Sequence, residues 1–221
     1  WSDRYQNNKT GWDLGEVSKP LLPIFKTLNV NDKILIPGCG NAHEAGFLHC
    51  HGFNDVHIID IVKEPLVNFT NAHPNFPKSK VIHGDFFEHT ANYDVIIEQT
   101  FFCALNPNLR SNYVIKMHEL LNPGGKIAGL LFNFPLTEKG PPFGGSIEEY
   151  KSLFSGAFKL KILEKAYNSK GEQAFNDRKN NLITGLGDFY KDFNSNVDQK
   201  VFEQLIDLYS KSKERKRGWS V

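Results

Sequence analysis

Methionine, cysteine and net charge are what this 221-residue chain has least of: one Met, three Cys and a formal charge of +1. Each scarcity closes a class. Three cysteines, an odd number, give no disulfide framework and point to a reducing compartment, so a cytoplasmic location is expected. Twenty-six Lys and Arg against 25 Asp and Glu leave no basic excess for a nucleic-acid partner. No apolar run approaches the roughly 18 residues of a membrane-spanning helix. Internal repeats and low-complexity tracts are missing. No Ser-His-Asp or Cys-His arrangement stands out, and His49 and His51 fall on different faces of a helix, so no metal site is expected. Aromatic residues are abundant instead. Eighteen Phe point first to a Phe-rich core and second to aromatic-lined cavities.

The middle of the chain alternates strand-like and helix-like segments. "KILIP" (33–37), "DVHIIDI" (55–61), "KVIHGDFF" (80–87), "YDVIIEQT" (93–100) and "KIAGLLFNF" (126–134) read as strands. Helices are expected at 42–52, at 65–74, and over 108–125, where Pro-Gly-Gly reads as the break. "SIEEYKSLFSG" (146–156) opens with a capping box, Ser146 with Glu149 three residues on. "FKLKILEKAY" (158–167) alternates like an edge or half-exposed strand. Beyond about 171 the pattern weakens, and 197–217 reads as an amphipathic terminal helix with a basic end. Repeated strand–helix–strand units predict an α/β fold, a doubly wound and mostly parallel sheet with helices on both faces and an atypical C-terminal helical segment. In such folds a ligand sits over the carboxyl ends of the strands.

Three patterns fall at those ends. Gly38 and Gly40, after the first strand, let backbone approach a ligand at a helix N-terminus. Asp60, twenty residues later at the end of the second strand, can accept both hydroxyls of a ribose. Asp85 and Phe86 follow the third strand, where an acid, a backbone N–H and a ring can meet an adenine. Taken together they describe an adenosine-binding rim. His43 stands where the dinucleotide fingerprint has its third glycine. That fingerprint serves a pyrophosphate, whereas S-adenosylmethionine carries no phosphate, so a methyl donor is preferred over a dinucleotide.

The sequence resembles the thiopurine S-methyltransferase-like group, which includes halide and thiol methyltransferases. The resemblance lies in "GWDLG" (11–15), "ILIPGCG" (34–40), "IIDI" (58–61), "GDFF" (84–87), "EQTFFCAL" (98–105), "MHELLNPGG" (117–125) and "GPPFGG" (140–145), across roughly residues 1–168. Most class I methyltransferases carry an acid two residues before the first glycine; this chain has Ile36, as that group does. The resemblance implies the class I, Rossmann-like fold and S-adenosyl-L-methionine as cofactor, leaving S-adenosyl-L-homocysteine. It implies an N-terminal segment (1–30) covering the cofactor through Trp1, Tyr5 and Trp12, ahead of the methyltransferase domain (31–190); the C-terminal helix with its basic tail (191–221) is read from the chain itself and has no counterpart in that group. Gly38, Asp60, Asp85 and Phe86 match cofactor-contacting positions. Gln99 falls where relatives often have a tyrosine near the cofactor. A terminal strand returning to the sheet is expected, with "NNLITGL" as its candidate.

Methyl transfer from a sulfonium to a thiol, halide or chalcogen species is an in-line displacement that needs a dry, aromatic pocket more than a base. An Asn-Pro-Pro-Tyr element of the kind used on amino groups is absent. Candidate pocket residues are Phe101, Phe102, Phe132 and Phe143 beside Trp12, with Asn133 and Glu98 as the nearest polar groups and no acid–base catalyst. Arg110 and Lys139 read as solvent-facing, or as attractors of an anionic acceptor. The loop 135–145 is expected to overhang the site as a lid. A small-molecule acceptor and a monomer are expected. Two other readings are open: an NAD-type oxidoreductase, and a catalytically silent interaction module.

Overall fold

The computed structural model describes residues 1–166 and Ser169. Five strands form one sheet: β1 (Ile34–Pro37), β2 (Val56–Asp60), β3 (Val81–His83), β4 (Tyr93–Gln99) and β5 (Leu121–Leu130). Their spatial order is β3-β2-β1-β4-β5, and every neighbouring pair is parallel. The helices are α1 (Ser2–Gln6), α2 (Leu21–Phe25), α3 (His43–Cys50), α4 (Lys63–Ala72), α5 (Arg110–Glu119) and α6 (Ile147–Phe154).

The apolar runs become strands because both faces of the sheet are covered, the arrangement in which parallel strands lose their polar alternation. Ile34, Ile36, Val56, Ile58, Val95 and Ile97 face one core with Leu21, Leu48, Leu66 and Phe69. Leu35, Ile59 and Ile96 face the other, with Tyr113, Met117, Tyr150 and Phe154. The chain builds outward from β1 through β2 to β3, then returns to place β4 on the other side of β1. The crevice at that reversal is where ligands settle in open α/β sheets.

Several expected elements differ from the structure. The third strand is only three residues long. α5 ends at Glu119, before Pro123, and β5 begins at Leu121. The Pro-Gly-Gly segment is thus no helix end; it lies where the register between β4 and β5 slips, and Gly124 takes φ +81° there. Half of the capping box forms: Ser146 Oγ accepts the Glu149 N–H at 3.1 Å, while the Glu149 carboxylate turns to Arg110. Residues 158–166 form no strand, and Leu160 and Ile162 are exposed. The expected C-terminal strand and helix lie outside the described residues. Among the described residues no helix is long and apolar enough to cross a membrane.

Candidate active site

The carboxyl ends of β1, β2 and β4 open into a cavity of about 340 Å³. Gly38 and Gly40 sit at its floor with φ +55° and +51°. A β-carbon on Gly38 would lie 2.1 Å from the Phe101 ring, and one on Gly40 would lie 2.9 Å from Tyr5 Oη. Both positions therefore favour glycine for conformation, and Gly38 demands it for space as well. Asp60 ends β2 and closes the loop: its Oδ2 accepts the Gly40 N–H at 2.8 Å, and its Oδ1 the Val62 N–H at 2.8 Å. Each oxygen keeps a second lone pair for a ligand hydroxyl. Burial raises the Asp60 pKa, opposed by those backbone donors.

Asp85 is an exposed rim residue that caps the short turn Phe86–Glu88 through a 2.8 Å bond from the Phe87 N–H. Phe86 lines the cavity but is otherwise core, with its ring 5.2 Å from that of Phe101. Gln99 lines the cavity from the end of β4. Its Oε1 is buried without a partner, as is Oδ1 of Asn41, which also lines the cavity. Buried acceptors left unsatisfied by the protein are open to donors from a ligand or from water.

The opposite wall comes from the N-terminus. Trp1 and Tyr5 each pack edge-on against Trp12, at 5.1 and 5.6 Å between ring centroids, and all three line the cavity. Asp13 fastens this segment to the glycine loop. Its Oδ1 meets His43 Nε2 at 2.6 Å, and its Oδ2 accepts from Asn41 Nδ2. Burial would raise the Asp13 pKa, but hydrogen bonds from His43, the Gly15 N–H and Asn41 lower it to about 2. The bond to Asp13 raises the His43 pKa against the opposite pull of burial. A second tie runs from the Ser18 N–H to the buried Glu44 carboxylate at 3.0 Å. Asp13, Asn41 and Glu44 carry no such expectation in the sequence; the signal was His43, standing where a third glycine would leave no side chain to hold Asp13.

Other expected pocket residues lie elsewhere. Of the four Phe candidates only Phe101 lines the cavity. Phe102 is 1 % exposed and packs against Tyr113 and Tyr150 in the second core. Phe132, Asn133 and Phe143 are not in the cavity lining; Phe132 gives its carbonyl to Tyr150 Oη at 2.5 Å, and the Phe143 N–H donates to the Cys103 carbonyl at 2.7 Å. Glu98 is also turned inward. Arg110 is neither solvent-facing nor at the cavity mouth. It is 3 % exposed, stacks over Phe102, donates to the Gly144 carbonyl at 2.6 Å and pairs with Glu149. It ties the 135–145 loop to α5 and α6. Lys139 is exposed and outside the lining. Pro141 is the residue of that loop that reaches the cavity.

A glycine cradle, a buried carboxylate, two orphaned acceptors and an aromatic wall suit a ligand that is part nucleoside and part cation. Residues 1–183 match the model of the thiopurine S-methyltransferase family. This chain belongs to that family of S-adenosylmethionine-dependent S-methyltransferases. It is 30% identical over 161 residues to a protein of Arabidopsis thaliana named probable thiol methyltransferase 2, covering 69% of this chain and 70% of the relative. It is 28% identical over 176 residues to the thiopurine S-methyltransferase of Vibrio parahaemolyticus, covering 71% and 81%. Among solved structures it is similar to the 1,6-didemethyltoxoflavin-N1-methyltransferase of Burkholderia thailandensis with bound 1,6-didemethyltoxoflavin and S-adenosylhomocysteine. There the TM-score is 0.57 at 15% identity, over 73% of this chain and 76% of that one, a likeness of fold. The match overturns the nicotinamide reading, and the geometry agrees: the position that the dinucleotide fingerprint reserves for a glycine in close helix–strand packing here carries an imidazole held by Asp13.

Proposed function

We propose that this methyltransferase acts on a small soft nucleophile, a thiol, halide or chalcogen species, by in-line displacement within the cavity between the strand ends and the N-terminal cover. S-adenosylmethionine, when bound, supplies the methyl group as a sulfonium. In this reading Asp60 accepts the ribose hydroxyls, Gly38 and Gly40 admit the ligand against backbone, and Asp85 with the Phe86 N–H takes the base. Gln99 offers its orphaned oxygen to a donor. Trp1, Tyr5, Trp12 and Phe101 present aromatic faces, which attract a cation through the ring quadrupole. Closing the cavity with these rings also removes water, which stabilises separated charges more than the charge-dispersed transition state. The remaining contribution is alignment, worth up to about 7–11 kcal/mol in ideal cases. Halides are anions and an ordinary thiol, with a pKa of about 8.5, yields its thiolate without a strong base.

The observation that carries this reading is the apposition of the Asp60-closed glycine loop to the Trp1–Tyr5–Trp12 cluster across one cavity. Calorimetry with S-adenosylhomocysteine tests the donor half, and absence of binding at millimolar ligand by folded protein would remove it. Transfer of a radiolabelled methyl group to bisulfide or iodide tests the acceptor half. Binding without turnover on any soft nucleophile would favour a silent interaction module.

A further inference from the structure

The penultimate residue of β4 is a buried acid that the chemistry above does not use. Glu98 is 2 % exposed and sits opposite Gly129 in the ladder with β5. A β-carbon on Gly129 would lie 2.3 Å from the Glu98 carbonyl oxygen, so the two backbones meet closely there. Glu98 Oε1 accepts both the Phe101 and the Phe102 N–H, each at 2.9 Å, and Oε2 accepts the Tyr113 hydroxyl at 2.5 Å. All three donors are neutral, and burial pushes the carboxyl up to about 7. An apolar side chain of similar size would fill the space at lower desolvation cost, but would leave two buried amides unpaired.

What this acid fixes is the wall of the cavity. Between Glu98 and Phe101 the chain reverses at Thr100, whose φ of +57° is left-handed and rare for a β-branched residue. Such a conformation persists only where its surroundings over-determine it. The two amides gathered on one carboxylate oxygen supply that constraint. On the cavity side of the turn are Gln99, with its orphaned oxygen, and Phe101, pressed on Gly38. Phe102, one residue on, is sent into the core.

We propose that Glu98 is a positioning residue: through the 98–102 turn it holds Phe101 over the Gly38 loop and Gln99 at the cavity, and so sets the affinity for the methyl donor. The inference rests on reading the cavity as the donor site. It is tested on the 221-residue protein with Glu98→Gln, Glu98→Ala and Tyr113→Phe. The readouts are S-adenosylhomocysteine affinity by calorimetry and amide exchange of Phe101 and Phe102 without ligand. Glu98→Gln should stay within about threefold of wild type, because its amide oxygen accepts the same two N–H groups and its NH₂ can donate to Tyr113 Oη. Glu98→Ala should lose about tenfold or more in affinity, with exchange at Phe101 and Phe102 accelerated by a similar factor. Where Glu98→Ala fails to fold, Tyr113→Phe gives the same pattern at about threefold. A folded Glu98→Ala within twofold of wild type, or a Glu98→Gln as impaired as Glu98→Ala, overturns the proposal. If wild type itself does not bind S-adenosylhomocysteine, the donor-site reading fails instead, while the exchange of the two amides still reports whether Glu98 holds the turn.

Discussion

Gly38, Asp60 and Gln99 reach the cavity from strand ends whose positions follow from the parallel register, Pro37 beside Ile59 and Glu98 beside Gly129. Trp1, Tyr5 and Trp12 reach it from a segment whose helix is five residues long and buries none of its own residues. The strand-end wall is anchored on both cores. The cover is held by ring contacts, by Arg4 lying 5.5 and 5.7 Å from the Trp1 and Trp12 ring centroids, and by the Asp13–His43–Asn41 tie. A wall built on buried strands is set before a ligand arrives. A segment with little burial of its own opens at low cost, which suits the proposed role of admitting donor and acceptor and then excluding water. The difference teaches that donor affinity should depend steeply on the strand-end wall and gradually, with pH, on the cover.

The sharpest way to break that comparison is at the floor. Gly38→Val introduces a β-carbon where the Phe101 ring stands, and it imposes a β-branched residue on a left-handed φ. It should lower S-adenosylhomocysteine affinity by about a hundredfold or more, read by calorimetry beside a circular dichroism control. Asp60→Ala comes next. It removes the proposed acceptor for ribose and frees the Gly40 N–H, with an expected loss of roughly 10- to 150-fold, the range of a hydrogen bond to a charged group. A loss under threefold at either position would mean that the strand ends do not form the donor site.

The cover should respond less and in a pH-dependent way. The raised His43 pKa makes the pair's contribution complete below the ordinary histidine value of 6.5 and lost as pH rises through the raised value. The Asp13 contribution is complete above 3.8 and lost as pH falls through about 2. The charged tie is therefore complete from about 3.8 to 6.5 and weakens on the alkaline side. Titrating S-adenosylhomocysteine affinity from pH 6 to 9 should show a decline of about three- to tenfold that His43→Gln removes. A flat profile in wild type would show that the cover is held by its rings alone.

The smallest expected effect on binding is at Arg110 and Phe143, which lie off the cavity. Arg110→Met should leave donor affinity within twofold while lowering stability by about 1–3 kcal/mol, because Glu149 loses its partner and the Gly144 carbonyl its donor. Denaturant unfolding measures that loss. Phe143→Ala should likewise leave donor affinity within twofold, and a large drop would bring the 135–145 loop into the site after all.

Local pattern was enough for the strands and the residues at their tips. A short apolar run between turn residues has little choice but a buried strand, and Gly38, Gly40, Asp60 and Asp85 follow directly from where those runs stop, while Gln99 came from the family resemblance. Phe101 and Phe102 illustrate the boundary. They are chemically identical neighbours, and only the Glu98-held turn decides that one lines the cavity and the other enters the core. Arg110 reads as a surface charge because its partners are 34 and 39 residues away. The start of β5 was obscured by Pro-Gly-Gly, ordinarily a helix break, which here occupies a register slip against β4. The helices α1 and α2 are too short to leave a periodic trace.

By itself the sequence determined the parallel sheet, the order of its strands' chemistry and the acids and glycines at their ends, because these depend on residue type within a few positions. Only the tertiary structure decided which aromatic rings face the cavity, which charges are buried and how the N-terminal segment is fastened. Those outcomes rest on contacts such as Asp13 with His43 and Glu98 with Tyr113, between side chains that folding alone brings within hydrogen-bonding distance.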